Sequence, residues 1–87
     1  MLPSTVEMRF NMKSYLVNFI WDNDAGVWVA TSNDVPGLVL EHGSFDALVE
    51  RVKLAAPELL ELNGLCQDNA LVVFNANRQE RLLTANG

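Results

Sequence analysis

Two segments near the start of the chain consist mainly of strand-forming residues, with apolar side chains at both odd and even positions. The first predicted strand, residues 14–21, sends successive side chains to opposite sides. One side carries Tyr15, Val17, Phe19 and Trp21, and the other carries Leu16, Asn18 and Ile20. The predicted return strand, residues 27–32, also has large side chains on both sides. Both faces of the predicted sheet are therefore apolar.

Turn-forming residues separate these strands and delimit a third. The loop 22–26 reads Asp-Asn-Asp-Ala-Gly, which predicts a hairpin connection in which Gly26 takes a positive φ. Pro36 and Gly37 predict a type II turn, with Pro36 fixing the first corner and Gly37 in the left-handed position. A short third strand is expected at 38–41.

A helix is predicted next, because apolar residues recur over 45–60 at the spacing of one buried helical stripe. Ser44 is the predicted N-cap. Pro57 lacks an N–H group, so we expect a kink or a new helical start there. Gly64 is predicted to end the helix as its left-handed cap.

A last strand at 70–74 completes the order β-β-β-α-β. Three strands form an antiparallel meander, and the helix crosses back so that the fourth strand joins the same sheet. This predicts a two-layer α+β fold with the helix on one face. Residues 1–12 predict a flexible arm before a single domain at 13–84, with an extra edge strand near 6–10 as an alternative.

Composition narrows the class of protein. Eighty-seven residues suffice for one domain. The single cysteine, Cys66, excludes an internal disulfide framework and fits a reducing compartment. No signal-peptide pattern or bilayer-length apolar stretch is evident, so we expect the bacterial cytoplasm and no membrane contact. The start site stays open among Met1, Met8 and Met12.

The charge is concentrated in the middle of the chain. The net charge is −5, and residues 22–68 hold nine acidic side chains against two basic ones. Such a segment repels phosphate, so direct nucleic-acid binding by it is not expected. Acidity suits association with a basic protein, whose approach it would steer. The alternative is that the acidity serves solubility alone.

Candidate chemistry is sparse. His42 is the single histidine, and no Cys/His cluster supplies the three or four ligands of a strong metal site. We therefore predict no metal, no cofactor and no catalysis. A different class stays open as an alternative: a small hydrolase, or a ligand- or metal-binding protein, that uses Asp22, Asp24 and His42. A third alternative is nucleic-acid binding through a patch of cations from both termini: Arg9, Lys13, Arg78 and Arg81.

The strongest indication of function is that the predicted sheet has more apolar surface than one helix can cover. One helix can cover one face of a sheet, so the other face should meet a partner. Trp21 and Trp28 lie near the hairpin tip, where a simple hairpin register is expected to point them to opposite or diagonal faces. Large aromatic side chains are frequent interface anchors. The predicted partner or oligomer interface is Tyr15, Phe19, Trp21 and Trp28.

Three segments together resemble the HicB-like antitoxin domain. Residues 21–30 read Trp-Asp-Asn-Asp-Ala-Gly-Val-Trp-Val-Ala, 34–38 read Asp-Val-Pro-Gly-Leu, and 44–48 read Ser-Phe-Asp-Ala-Leu. The helix end 57–63, Pro-Glu-Leu-Leu-Glu-Leu-Asn, resembles a short stand-alone branch of unknown function within that family. The resemblance extends from residue 14 to about residue 75.

The resemblance implies a fold similar to a degenerate double-stranded-RNA-binding domain, and dimers or higher homo-oligomers. It also implies a partner, because such domains cover a small basic RNase, the HicA toxin, and block its active site. Complete antitoxins carry a separate DNA-binding module. Only thirteen residues follow Phe74 in this chain, too few for one, so control by direct DNA contact is not expected.

Overall fold

Four strands and one helix make up the computed structural model, which describes residues 13–65 and 70–83. The elements are β1 (Lys13–Asp22), β2 (Val27–Thr31), β3 (Val39–His42), α1 (Phe45–Leu62) and β4 (Ala70–Asn77). The predicted order β-β-β-α-β is confirmed. The predicted arm at 1–12, the alternative strand near 6–10 and Cys66 lie outside the described residues.

The four strands form one mixed sheet in the order β3-β2-β1-β4. The β1–β2 and β2–β3 pairs are antiparallel, as a meander requires. β4 returns through α1 and pairs with β1 in parallel. A parallel neighbour needs such a long crossover, and the helix provides it. The predicted α+β class is therefore confirmed.

The core lies between the sheet and α1. Tyr15, Val17 and Phe19 are buried on the side of β1 that faces the helix. The helix contributes one buried stripe at helical spacing: Leu48, Val52, Ala56 and Leu60. Val35 and Leu38, which flank the Pro-Gly turn, close the core at one end. Alternation in the strand and periodicity in the helix thus produce a single apolar layer.

Both ends of α1 are capped by local sequence. The Ser44 Oγ accepts a hydrogen bond from the Ala47 N–H at 3.3 Å, and this satisfies one of the free donors of the first turn. At the other end Gly64 has φ +69°, and Leu65 N–H donates to the Leu60 carbonyl at 2.9 Å. That pairing is a Schellman motif. Of the two alternatives expected at Pro57, a kink or a new helical start, the new start is absent, since α1 continues through Pro57 as one helix of 18 residues.

The Pro-Gly turn needs glycine for conformational reasons. Gly37 has φ +83°, and Leu38 N–H donates to the Val35 carbonyl at 3.2 Å across the turn. A Cβ built at Gly37 would lie 3.5 Å from Leu59 Cδ2, an ordinary contact. Backbone conformation, not space, is therefore the constraint at this position.

Gly37→Val is expected to lower the free energy of unfolding by about 1–3 kcal/mol, the cost of holding a β-branched residue at positive φ. Urea unfolding followed by tryptophan fluorescence measures the loss. Gly37→Asn is the matched control, because asparagine tolerates the left-handed region far better. Equal losses in the two variants would contradict a conformational cause.

β4 is longer than its sequence predicts. The apolar run predicts residues 70–74, yet the strand continues to Asn77. β1 is ten residues long and offers pairing partners up to Ile20, which lies opposite Asn77. The polar residues Asn75 and Asn77 therefore extend the strand, because the neighbouring strand fixes its length more firmly than local hydrophobicity does.

Candidate functional site

The side of the sheet opposite α1 is uncovered within the described residues, and we call it the open face. Strand alternation and the pairing register define its members. They are Ser14, Leu16, Asn18, Ile20, Asp22, Val27, Val29, Thr31, Val39, Glu41, Leu71, Val73, Asn75 and Asn77.

Half of the side chains on this face are aliphatic. Ile20 is 56% exposed and Val39 is 69% exposed, although both lie within strands. Leu16, Leu71 and Val73 are also exposed. Leu16 lies directly opposite Val73, so these three form a contiguous patch at one end of β1 and β4. Exposure of this kind costs free energy in water, about 25 cal/mol for each Å2 of apolar surface.

A polar strip divides the apolar surface in two. Asn18 and Asn75 are paired across β1 and β4, and the Asn75 side-chain amide donates to Asn18 Oδ1 at 3.3 Å. Thr31 lies opposite Asn18 on the other neighbouring strand. The strip lies between the Leu16 patch and the pair Ile20 and Val29. The open face therefore has two apolar areas with hydrogen-bonding groups between them.

Two shallow depressions lie beside Ile20. One has a volume of about 420 Å3 and is lined by Ile20, Trp21, Asp22, Asn23, Val29 and Thr31. The other has about 280 Å3 and is lined by Asn18, Phe19, Ile20, Thr31, Asn75 and Asn77. Both open widely to solvent, whereas small-molecule sites enclose most of their ligand. They therefore shape a contact surface around Ile20 and do not form an enclosed binding pocket.

Carboxylates border the open face. Glu41 is on it, on the edge strand β3. Asp22 ends β1, where its Oδ1 accepts hydrogen bonds from Asp24 N–H at 3.0 Å and Ala25 N–H at 3.2 Å. Asp34 follows β2 at the other end, and its Oδ2 accepts from Leu16 N–H at 2.8 Å. The acidic groups are thus distributed along both ends and one edge.

The basic side chains near the sheet lie on its helix side or beyond the ends of its strands. Lys13 alternates with Tyr15 onto the helix side. The Arg78 guanidinium stacks over the Trp21 ring at 4.0 Å and pairs with Glu80 at 2.7 Å. Lys53, on the helix, pairs with Glu50. Among the described strand residues, the open face therefore presents carboxylates without a neighbouring cation.

The two tryptophans lie on one face, which corrects the expected opposite or diagonal placement. Trp21 is paired directly with Trp28, and their ring centroids are 5.6 Å apart. The register explains this, because four loop residues separate Asp22 from its partner Val27. Trp28 also contacts Phe45 at 5.0 Å. We call Trp21, Trp28, Phe45 and Arg78 the tryptophan cluster; it closes the end of the core on the helix side.

The predicted interface residues are therefore placed differently from our expectation. Tyr15 and Phe19 are buried beneath α1, Phe19 completely, so they cannot meet a partner while the fold is intact. Trp21 and Trp28 are half-buried in the tryptophan cluster. The residue types chosen for an interface fill the core because the helix takes the more aromatic face. The smaller aliphatic residues of the open face are left exposed.

Ser32 and Asp34 have a structural role that the sequence did not suggest. The Ser32 hydroxyl donates to the Leu16 carbonyl at 2.5 Å and accepts from the N–H groups of Asp34 and Val35 at 3.0 Å. With the Asp34 carboxylate on Leu16 N–H, both backbone groups of Leu16 are satisfied after β2 has ended. The signal was a Ser-x-Asp sequence directly after a strand, a pattern that favours such local turns.

The residues of the alternative hydrolase or metal site do not come together. His42 Nδ1 accepts a hydrogen bond from Ser44 N–H at 2.8 Å at the start of α1. Asp22 is two strands away, about 10 Å, and on the other face of the sheet. Within 13–65 and 70–83, no three side chains of His, Cys, Asp or Glu form a potential metal group. Asp22, Asp24 and His42 act in turns and caps.

The alternative nucleic-acid patch is also divided. Lys13 lies opposite Ala70, whereas Arg78 lies eight residues beyond Ala70 along the same direction. That separation is about 26 Å at the rise of an extended strand. Arg9 lies outside the described residues. Lys13 and Arg78 therefore do not form one basic surface.

Comparison with known proteins places the chain in a family. Residues 14–85 match the family described as a domain of unknown function, DUF1902. The chain belongs to the DUF1902 family. It is also similar to the crystal structure of hypothetical protein TTHA1013 from the extremely thermophilic bacterium Thermus thermophilus. That similarity has 36% sequence identity and a TM-score of 0.64, and covers 83% of this chain and 100% of the other. No curated protein gives a significant match.

The DUF1902 match takes in all four strands and the helix, so it includes both the helix side and the open face. The open face therefore belongs to the family domain itself. No helix among the described residues combines the length and apolarity needed to cross a membrane.

Proposed function

We propose that this chain is a non-enzymatic protein-interaction module of the HicB-like antitoxin type. It associates with itself, and it binds and occludes a small basic protein of the kind that HicA-like RNase toxins represent. The open face is the surface for this partner. One observation carries the proposal: aliphatic side chains remain exposed along a sheet face that α1 does not cover.

The arrangement of these side chains supports a specific contact. Single exposed aliphatic residues are normal on monomers, whereas contiguous exposed patches mark interaction surfaces. Here Leu16, Leu71 and Val73 adjoin one another, and Ile20 lies beyond the Asn18–Asn75 pair. A partner would remove both apolar areas from water. The asparagine amides would then fix the orientation by hydrogen bonding.

The charges support a basic partner in particular. Asp22, Asp34 and Glu41 border the open face, and the chain carries a net charge of −5. A polar rim around an apolar centre is the usual anatomy of a protein interface. An acidic rim accelerates encounter with a basic protein and disfavours acidic ones. The same acidic rim repels phosphate, which fits a module that covers an RNase and does not itself bind RNA.

Occlusion requires no chemistry from this chain. A rigid sheet that covers the active site of a basic RNase inhibits it by excluding RNA. The HicB-like resemblance of the hairpin, the Pro-Gly turn and the helix start supports this mode of action. In the structure those segments form the loop beside Ile20, the Asp34 bridge to Leu16 and the cap of α1. They hold the open face in shape.

Affinity purification from the native host tests the proposal. The tagged chain is expected to retain a small basic protein in a fixed stoichiometry, and the complex should weaken as salt rises because its rim is ionic. The partner's RNase activity should fall to background as equimolar chain is added. A heat-denatured sample of the chain is the control for nonspecific inhibition.

Two results would contradict the proposal. One is recovery of no basic partner under any growth condition in which the chain is expressed. The other is a captured partner that keeps its full RNase activity in the complex and has no other activity that the chain suppresses.

A further inference from the structure

β4 carries exposed apolar side chains on both of its faces. Leu71 and Val73 are exposed on the open face, and Phe74 is exposed on the helix side. Within the described residues, the backbone of α1 comes close to β2 and β3 and does not reach β4. β4 is also the last strand of the sheet, so its outer backbone groups face no further strand in the described part of the chain. Within the described residues, the outer edge of β4 is therefore unpaired along all eight residues of the strand.

The two edges of the sheet are protected very differently. Edge strands are normally kept from pairing by charge, proline, bulges or short length. β3, at one edge, has four residues, of which Glu41 and His42 are polar, and it follows Pro36 closely. β4, at the other edge, has eight residues and no ionisable side chain. Of these two edges, β4 is therefore the one free to pair along its whole length.

We propose that β4 pairs in antiparallel fashion with β4 of a second copy, across a two-fold axis that passes beside Val73, to give a continuous eight-stranded sheet. The inference rests on the self-association in the proposed function and specifies its geometry. Two identical edges related by a two-fold axis normal to the sheet must run antiparallel. Directly paired residues share a face, and Val73 and Phe74 lie on opposite faces, so the axis passes beside Val73 and not between the two residues. Val73 then pairs with its own counterpart, within a paired segment 70–76.

Charge favours a second copy as the occupant. Two molecules that each carry −5 repel one another over most of their surfaces, so they can approach closely only where charge is absent. β4 is such a region. Its pattern is also self-compatible: Leu71 and Val73 of one copy would lie on the same side as their counterparts, as would Val72 and Phe74. Next to the axis, Val73 would contact its counterpart on the open face, and Val72 would contact Phe74 of the other copy on the helix side.

The pairing leaves the partner surface accessible and extends it. Edge-to-edge joining places the open faces of two copies side by side, so their Leu16, Leu71 and Val73 patches become one apolar surface around the axis. The two helices stay on the opposite side, over β2 and β3. A dimer of this kind presents two equivalent binding surfaces in one plane.

Cysteine trapping in the full-length chain tests the geometry. Val73→Cys, in a Cys66→Ser background, is expected to form disulfide-linked dimers under mild oxidation, because paired residues near the axis bring their Cβ atoms within about 5 Å. Val39→Cys in the same background is the matched control. It is also an exposed valine on the open face, but on the opposite edge strand. It should stay monomeric on a non-reducing gel.

A charge variant gives an independent readout. Val73→Lys places two like charges near the axis and should weaken the dimer at least about 10-fold by sedimentation equilibrium, equivalent to about 1.4 kcal/mol. Val39→Lys should sediment like the parent chain. Circular dichroism verifies that both variants are folded, which is expected for exposed positions.

Several outcomes would overturn the inference. They are a folded parent chain that is monomeric in solution, cross-linking through Val39→Cys as efficient as through Val73→Cys, and a Val73→Lys variant that dimerises normally. Failure of the proposed function is separate: a dimer cross-linked at Val73 that captures no basic protein contradicts that function and leaves the pairing intact. A monomer that captures and inhibits a basic protein contradicts the pairing and the self-association, and leaves the occlusion of a basic partner intact.

Discussion

Replacement of Phe19 by alanine is expected to lower the free energy of unfolding by about 3–5 kcal/mol, the range for truncating a fully buried aromatic side chain. Phe19 has 0% exposure and lies at the centre of the core. Its ring is 5.1 Å from that of Phe45 on α1 and 5.4 Å from that of Phe74 on β4. One side chain therefore joins the helix, the central strand and the edge strand.

The loss is large for a domain of this size. Small domains have a total stability of about 5–15 kcal/mol, so Phe19→Ala should unfold at a much lower urea concentration than the parent chain. Circular dichroism and tryptophan fluorescence should report coincident transitions in the parent chain. Trp28 lies 5.0 Å from Phe45, so the fluorescence transition reports on the same part of the core.

The adjacent residue provides the control. Ile20 is next in sequence but is 56% exposed on the open face, so Ile20→Ala should cost less than about 1 kcal/mol. The contrast tests the assignment of faces, since a one-residue change of register would exchange the two positions. Equal destabilisation by Phe19→Ala and Ile20→Ala would show that the open face is covered in the folded protein.

Local patterns were sufficient to predict the elements and their order. Alternation at 14–21 indicated the two faces of β1, and helical spacing indicated the stripe that Leu48, Val52, Ala56 and Leu60 bury. Turn chemistry was equally direct: Gly26, Gly37 and Gly64 all have positive φ. Each of these features depends on residues close in sequence, which is why a single sequence was sufficient to predict them.

The choice of face could not be predicted in the same way. Tyr15, Phe19, Leu16 and Ile20 are all apolar, so the pattern shows that β1 has two apolar faces without showing which one the helix covers. The crossing direction of α1 decides this, and it depends on contacts between segments far apart in sequence. The aromatic face is covered because large rings bury the most area under a helix.

The tryptophan placement shows how sensitive a sheet is to loop length. The four loop residues between Asp22 and Val27 place Trp21 directly opposite Trp28. One loop residue more or fewer would have put the two rings on opposite faces of the sheet. Composition indicated a turn at 22–26 without fixing which residues would be paired. The hydrogen bonds of Asp22 Oδ1 to the N–H groups of Asp24 and Ala25 fix the loop in the structure.

The length of β4 is the difference between the sequence-based prediction and the structure that matters most for the proposed contacts. Asn75 and Asn77 predict the end of the strand, because asparagine is unfavourable there. Pairing with a long central strand overrides that preference, and the Asn75–Asn18 hydrogen bond contributes. The extra residues lengthen the exposed edge and place a polar strip in the middle of the open face. Both proposed contacts, with a basic partner and with a second copy, depend on this extension.

Ile20→Lys is expected to abolish partner capture while leaving the fold intact. The substitution puts a cation beside the polar strip of the open face, where it repels a basic protein and removes an apolar anchor. An anchor residue at the centre of an interface contributes about 2 kcal/mol or more, so affinity should fall at least about 30-fold. The free energy of unfolding should change by less than about 1 kcal/mol, because Ile20 is exposed.

Leu54→Lys is the matched control for charge and residue class. Leu54 is 74% exposed on α1, on the other side of the molecule, so the variant has the same net charge as Ile20→Lys and loses a similar aliphatic side chain. If binding depended on overall acidity alone, both variants would weaken capture equally. If it depends on the open face, Leu54→Lys should bind like the parent chain and differ only slightly in its salt dependence. Equal binding by the parent chain, Ile20→Lys and Leu54→Lys would mean that neither the net charge nor the Ile20 side chain contributes to partner binding. The exposed aliphatic residues would then serve some contact other than the one proposed.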